Sequence, residues 1–143
     1  NIGGEIIING NKKGIPWNIG IQNPLSSVDN STTTISNKNN NFLAIATSGE
    51  YRNFKLDEYG NKVTHTINPK TLSSIKNKIL SVTVVNEYSA TYADSYATAF
   101  NAMGLNRAIE MANNKNIAIM VIYQKDETVD IIYSDKWYDF FDE

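Results

Sequence analysis

Ser89-Ala90-Thr91-Tyr92-Ala93-Asp94-Ser95-Tyr96-Ala97-Thr98-Ala99-Phe100-Asn101-Ala102-Met103-Gly104 is the stretch on which the fold turns. It is rich in alanine, repeats its apolar residues at helical intervals and ends on a glycine, a common helix stop. The spacing predicts a helix over 89–103, clearest from 92 onward, with Gly104 as its C-cap. Ala90, Ala93, Ala97 and Phe100 lie on one stripe and are the expected buried face. A second short helix over 106–114 follows, with Ala108, Ile109, Met111 and Ala112 as its apolar contacts. Residues 117–123 are an unbroken apolar run, a strand suited to a sheet centre. Residues 128–133 pair back onto it across Lys125-Asp126-Glu127. The aromatic and acidic stretch 135–141 predicts a short closing helix or strand.

Upstream of the helical pair the pattern is that of strands. An isoleucine-rich run over 5–9 is bounded by glycines, and 9–14 is a turn. Residues 15–22 alternate Ile15, Trp17, Ile19 and Ile21 against smaller or polar residues, a half-buried strand. Asn23-Pro24 stops it. Residues 26–41 are polar, and only their middle suits an edge strand. A strand over 42–47 continues over 51–56 after a tight turn at Ser48-Gly49. Residues 57–61 form a hairpin loop, 62–67 return, and Asn68-Pro69 ends that strand. Residues 80–85 are a further strand with β-branched side chains on both faces. The order predicts one α+β domain: a mostly antiparallel sheet with a helical pair inserted before the last hairpin.

Composition narrows the function. The chain has 143 residues, 41% apolar and 20% charged, with a formal net charge of -2. That length allows a real core. The charge offers no basic field for nucleic acid. With no cysteine, thiolate catalysis, thiolate metal sites and disulfides are excluded. No run is long enough to span a bilayer, and no signal peptide opens the chain. The start at Asn1, without an initiator methionine and in mid-motif, leads us to expect a portion of a longer protein. Such a portion should expose apolar surface or self-associate.

Four places carry possible chemistry. Asp94 and Thr98 are four apart, so their oxygens share one helical face. A carboxylate and a hydroxyl so placed suit a hard cation such as Mg²⁺, which prefers oxygen ligands. On an arbitrary helix the pair is more often an exposed Asp and a Thr bonded back to its own helix. Gly3-Gly4-Glu5 precedes a strand; a glycine pair lets backbone approach a ligand, although a plain turn is commoner. Thr47-Ser48-Gly49-Glu50-Tyr51 gathers two hydroxyls, a glycine and an aromatic ring between strands. That set suits a nucleotide contact as well as a turn with a core tyrosine. His65 is the only histidine. It is the one side chain that exchanges protons near neutrality without a large shift, and a lone histidine is more often a solvated strand residue.

Read together and in order, these segments resemble the ApbE family, the FAD:protein FMN transferases. The matching blocks are Gly3-Gly4-Glu5 with Asn9-Gly10, then Pro16-Trp17-Asn18-Ile19-Gly20-Ile21-Gln22-Asn23-Pro24. They continue with Ala46-Thr47-Ser48-Gly49-Glu50-Tyr51 and His65-Thr66-Ile67-Asn68-Pro69-Lys70-Thr71. Ser81-Val82-Thr83-Val84 and Ala93-Asp94-Ser95-Tyr96-Ala97-Thr98-Ala99-Phe100, with Met103-Gly104, complete them. The resemblance covers the C-terminal half or so of that family. It implies an ApbE-like, T-fold-related sheet for residues 1–143, with the N-terminal part absent.

The resemblance also implies an activity: Mg²⁺-dependent cleavage of FAD, with FMN attached through a phosphoester to a Thr or Ser of a target flavoprotein and AMP released. It implies Asp94 and Thr98 as metal ligands and His65 as the base. Gly3, Gly4, Glu5, Thr47, Ser48, Gly49 and Tyr51 would line the FAD cleft. It further implies an extracytoplasmic lipoprotein, anchored through the absent part. Where the family motif reads His-x-x-Asp-Pro-x-Thr-Gly, this chain has Asn68 for the Asp and Leu72 for the Gly; Glu50 replaces a more usual Asp. Asn68 removes a negative charge, and a leucine at 72 is expected to close off any conformation needing positive φ. These departures frame the alternative, a flavin-binding or FAD-hydrolysing relative with reduced transfer. The residues without the resemblance also admit a non-enzymatic binding domain.

Overall fold

The computed structural model describes residues 1–24, 31–49, 54–56, 58–60, 62–64, 66–75 and 77–140. Its frame is a five-stranded antiparallel sheet. In chain order the strands are β1 (Ile6–Ile8), β2 (Leu43–Gly49), β3 (Ile79–Asn86), β4 (Ala118–Lys125) and β5 (Thr128–Tyr133). They lie side by side in that same order, each antiparallel to its neighbours. Antiparallel neighbours need only short connections, and the link from β4 to β5 is a tight one that pairs Lys125 with Thr128. The helices α1 (Ala90–Met103) and α2 (Leu105–Asn114) are inserted between β3 and β4. The α+β architecture matches the expectation.

Side chains alternate across the sheet, and both faces are covered. Ala44, Ala46, Val82, Val84, Ile119 and Val121 face the helices, where Ala93, Ala97 and Phe100 of α1 and Ala108 and Ala112 of α2 meet them. Fully burying a phenylalanine such as Phe100 is worth about 1.5–3 kcal/mol. The opposite face presents Leu43, Ile45, Val85, Ala118, Met120 and Ile122. It is covered by a hairpin of Asn18–Gln22 with Ser31–Ser36, through Ile21 and Ile35, and by a 3-10 helix over Asp135–Phe140, through Trp137 and Phe140. The closing segment is thus helical rather than extended. Ser134 joins it to the sheet: its buried hydroxyl donates to the carbonyl of Ile117 at 2.8 Å and accepts the N–H of Ile119 at 2.9 Å.

Helix α1 starts where its sequence allows. The hydroxyl of Ser89 accepts the N–H of Tyr92 at 3.2 Å, satisfying one of the free donors of the first turn. It ends at Gly104, at φ 81, which also begins α2. Ala93, Ala97 and Phe100 are buried as the stripe predicted, whereas Ala90, in the first turn, is only half-buried. Asn101 is buried with them and was not foreseen.

Several local expectations are corrected. Ser48-Gly49 is not a turn: β2 runs through both, with Ser48 opposite Val82 and Gly49 opposite Ser81. The ladder offered by β3 outweighs the local turn preference of a Ser-Gly pair. The single strand over 15–22 is broken at Trp17, because Asn37 takes up its backbone. The side-chain oxygen of Asn37 accepts the Trp17 N–H at 2.8 Å, and the Asn37 N–H donates to the Trp17 carbonyl at 3.3 Å. Ile15–Pro16 instead pairs with Asn11–Lys12, inside the expected turn. The return strand ends at Thr64, paired with Phe54, and Ile67–Asn68 forms a separate hairpin with Ser73–Ser74. Exposed apolar side chains include Ile2 and Ile7, before and within the edge strand β1, and Leu56, Tyr59, Ile67 and Leu72 of the small hairpins.

Leu72 is the sharpest correction. It adopts φ 53, the conformation its side chain was expected to prevent. The turn forces it: the Leu72 N–H donates to the carbonyl of Asn68 at 2.8 Å, and the Asn68 side-chain oxygen accepts the N–H of Lys70 at 2.9 Å. An exposed leucine, at 81%, meets no packing objection, so only the backbone penalty of roughly 1–2 kcal/mol remains. Leu72→Gly should therefore raise stability by up to about 1 kcal/mol, the relief being reduced by the freer unfolded chain. Urea denaturation of the two proteins measures it; a loss of stability would show that the turn is not strained.

Candidate functional site

Two concave surfaces collect most of the described residues singled out in the sequence. The first is a cleft of about 350 Å³ between the sheet and the Asn18–Gln22 strand. Gly3 and Gly4 form one wall, Ile45, Thr47, Gly49 and Ser81 the floor, and Ile19, Gly20 and Ile21 the other wall. Gly3 and Gly4 sit at φ 68 and 115, inside a tight turn in which Ile2 and Glu5 exchange backbone hydrogen bonds at 2.9 and 3.1 Å. Only glycine takes such a pair of angles without strain. The Gly4 N–H already meets the side-chain oxygen of Asn1 at 3.2 Å. Glu5 lies outside the cleft lining; a Cβ added at Gly3 would sit 3.2 Å from its carboxylate. On the floor the hydroxyls of Thr47 and Thr83 are 2.9 Å apart, which satisfies the fully buried Thr83.

The alternation that places Thr47 and Gly49 in this cleft turns Ser48 to the helix face. There the side-chain amide of Asn101 donates to the Ser48 hydroxyl at 3.3 Å. The Asn101 carbonyl accepts from the side chain of Asn77 at 2.6 Å, and the Asn101 side-chain oxygen is buried without a partner among the described residues. Asn101 therefore ties the last turn of α1 to the end of β2. Sequence reading missed it because it stands in a stripe otherwise made of alanine and phenylalanine. Its position, one turn beyond Thr98, was the available signal.

The second surface is a cavity of about 470 Å³ between the 66–70 turn and the junction of α1 with α2. Thr98 lines it, with Ser95 from the same helix, Thr66, Asn68 and Lys70 from the turn, and Arg107 from α2. Asp94 stands one turn before Thr98, also exposed, and makes no ion pair with a described residue. The fold thus puts Thr98 beside the segment that follows His65. Lys70 and Arg107 were not singled out in the sequence; only the tertiary fold brings them to one wall. His65 and Tyr51 lie outside the described residues. Among the described residues no cluster of three or more His, Asp and Glu is present. The donor set at α1 is one carboxylate and one hydroxyl, hard oxygen ligands that fit Mg²⁺ in kind.

The family model for the ApbE family matches residues 1–121. The chain belongs to the ApbE family. A FAD:protein FMN transferase of Vibrio cholerae is 38% identical over 127 residues, covering 88% of this chain and 36% of the relative. One from Haemophilus influenzae is 35% identical over 126 residues, covering 87% of this chain and 35% of the relative. The chain thus spans about a third of the length of these ApbE relatives. Among solved structures, the flavin transferase ApbE of Vibrio cholerae superimposes with a TM-score of 0.79 at 33% identity, over 99% of this chain and 43% of that one. The flavinyl transferase ApbE of Pseudomonas stutzeri, in its apo form, gives a TM-score of 0.81 at 25% identity, over 99% and 42%. The ApbE protein of Thermotoga maritima gives 0.80 at 29% identity, over 99% and 43%. The superpositions extend past the family match at 121, so β5 and the closing 3-10 helix also follow the ApbE fold.

The Asn101–Ser48 contact is testable by itself. Ser48→Ala leaves a second atom of Asn101 unpaired and should cost about 1 kcal/mol. In an Asn101→Leu background the same change should cost markedly less. Urea denaturation of the four proteins gives the coupling; additive costs would remove the contact.

Proposed function

We propose that this chain is the C-terminal portion of a Mg²⁺-dependent FAD:protein FMN transferase, acting on FAD and on a Thr or Ser of a target flavoprotein. The observation that carries the proposal is the placement of Thr98, in line with Asp94 on α1, against the turn that follows His65. The proposed metal donor Thr98 and the 66–70 turn are then close in the fold, although far apart in the chain. Membership of a family whose relatives carry the transferase name supports it. By the resemblance alone, the whole protein is proposed to be an extracytoplasmic, membrane-anchored lipoprotein.

In the reaction, the acceptor hydroxyl oxygen bonds to the FMN phosphorus of FAD, the bond from that phosphorus to the bridging oxygen breaks, and AMP leaves with that oxygen. Asp94 and Thr98 would hold Mg²⁺, which supplies neutralisation of charge on the diphosphate and its leaving group. His65 would receive the acceptor hydroxyl's proton at a ring nitrogen. The cleft holding Gly3, Gly4, Thr47 and Gly49 would exclude water from one side of the bound dinucleotide. Glu5, Ser48 and Tyr51 belong to this proposed FAD set through the resemblance; the hydroxyl of Ser48 faces α1 instead of the cleft.

The alternative, a flavin-binding or FAD-hydrolysing relative with reduced transfer, rests on Asn68. An asparagine there keeps the side-chain turn to the N–H of Lys70 but brings no charge. Leu72 no longer favours that alternative, since it takes the positive φ that a glycine would.

Asp94→Ala in the full-length protein should abolish Mg²⁺-dependent FAD turnover while leaving the fold intact, and should act more strongly than Thr98→Ala, because the carboxylate carries the charge. Equal activity of Asp94→Ala and wild type at limiting Mg²⁺ would remove the metal site. His65→Ala should slow transfer to a threonine-containing acceptor by roughly 10²–10⁴-fold at saturating FAD. The wild-type rate should rise with pH through a group titrating near neutrality. A mutant that loses FAD affinity but keeps its maximal rate would make His65 a binding residue.

A further inference from the structure

We infer that Asp130 guards an open edge of the main sheet, keeping β5 from pairing with β5 of a second copy of this chain. β5 ends the strand order and has β4 as its one neighbour in the sheet. The Ser134 N–H donates to the Ile119 carbonyl at 3.0 Å, one step beyond the pairing of Tyr133 with Met120. Bonded and non-bonded pairs alternate along an antiparallel ladder. Ile132, Asp130 and Thr128 therefore bond to β4, and the backbone N–H groups of Val129, Ile131 and Tyr133 point away from it, over the edge.

Such an edge is a template for another strand, and its side chains suit one. From Val129 to Tyr133 every residue but Asp130 is β-branched or aromatic, with no proline or glycine. Ile132 packs against the helix-side cluster, and Val129, Ile131 and Tyr133 against the other, so β5 is apolar on both faces. A two-fold axis through Ile131 would set Ile131 against its own copy and Val129 against Tyr133, with main-chain bonds exchanged at Ile131. The opposite edge of the sheet differs: β1 is three residues long, and a very short edge strand is a poor template.

Asp130 occupies the centre of this symmetric edge. Its Oδ1 accepts the outward N–H of Ile131 at 2.9 Å, the donor on which a two-fold pairing would be centred. Its Oδ2 accepts the Lys125 ammonium at 3.1 Å and the Tyr123 hydroxyl at 3.4 Å, both from β4. These contacts hold the carboxyl below its usual range, the Ile131 N–H first and Lys125 next, so the charge is kept on the edge. A second β5 would have to displace Asp130 from Ile131 and lay its charge opposite the apolar Ile132 of the other copy. Charged side chains are a common bar to pairing on edge strands. Asp130 plays this part whatever the chain catalyses.

The test compares wild type, Asp130→Val and Asp130→Asn by sedimentation equilibrium and amide hydrogen exchange, with circular dichroism to confirm folding. Asp130→Val removes both the cap and the charge. Asp130→Asn keeps an oxygen for the Ile131 N–H but loses the charge, and it carries the test if the valine variant does not fold. We expect the Val129 amide of wild type to exchange fast. Asp130→Val should dimerise at least ~10-fold more tightly than wild type, with Asp130→Asn in between. In the variant dimer the Val129 N–H should exchange about 10-fold more slowly, because it gains a carbonyl partner from the second copy. Unchanged association in the folded variants would overturn the inference. Tighter association with Val129 still in fast exchange would overturn it too, since the interface would lie elsewhere. A wild-type dimer in which Val129 is already protected would show that the edge is not guarded.

Discussion

The structure depends on β3 being buried on both sides. Val82, Thr83 and Val84 are all fully buried, in succession, on a strand whose side chains alternate. Neither face can be left to water, so the chain must supply two covers. The helical pair closes one face, and the Asn18–Gln22 hairpin with the closing 3-10 helix closes the other. A one-residue slip of β3 would exchange Val82 and Val84 with Thr83 and place a polar hydroxyl against Phe100. The pair of hydroxyls on Thr47 and Thr83 fixes the register chemically, since the buried Thr83 has its partner only on the hairpin side.

That same alternation divides the candidate site. Thr47, Ser48 and Gly49 are neighbours in the chain, yet they serve two faces of the sheet. Thr47 and Gly49 open onto the glycine-walled cleft, whereas Ser48 is held by Asn101 beneath α1. The residues proposed to meet a dinucleotide therefore wrap around the end of β2 from both sides. A ligand touching Gly3 and Thr98 together would have to pass this strand end. The junction of sheet and helix, more than any single cavity, organises the proposed chemistry.

Polar side chains do much of the fitting between elements. Asn37 holds five backbone groups: its side chain accepts from Trp17 and donates to Gly10 and Asn41, its N–H donates to the Trp17 carbonyl, and its carbonyl accepts from Asn40. Asn68 shapes the turn that strains Leu72, and Asn77 and Asn101 join α1 to the approach to β3. Asparagine side chains thus have a structural use at these positions.

The sequence by itself determined the elements with a strong period or a strong stop. The alanine stripe of α1, its end at Gly104, the apolar run of β4 and the hairpin to β5 were all legible, because each signal lies within a few residues. The order of family motifs was legible for the same reason. What only the tertiary structure decided were the choices between a local preference and a distant partner. Ser48-Gly49 became strand because β3 offers a ladder. Trp17 broke its strand because Asn37 captured its backbone, and Leu72 took a positive φ because Asn68 closed the turn around it. Lys70 and Arg107 came to one wall only when α2 packed beside the 66–70 turn. Charges 37 residues apart carry no shared pattern in a chain; their meeting is decided by packing.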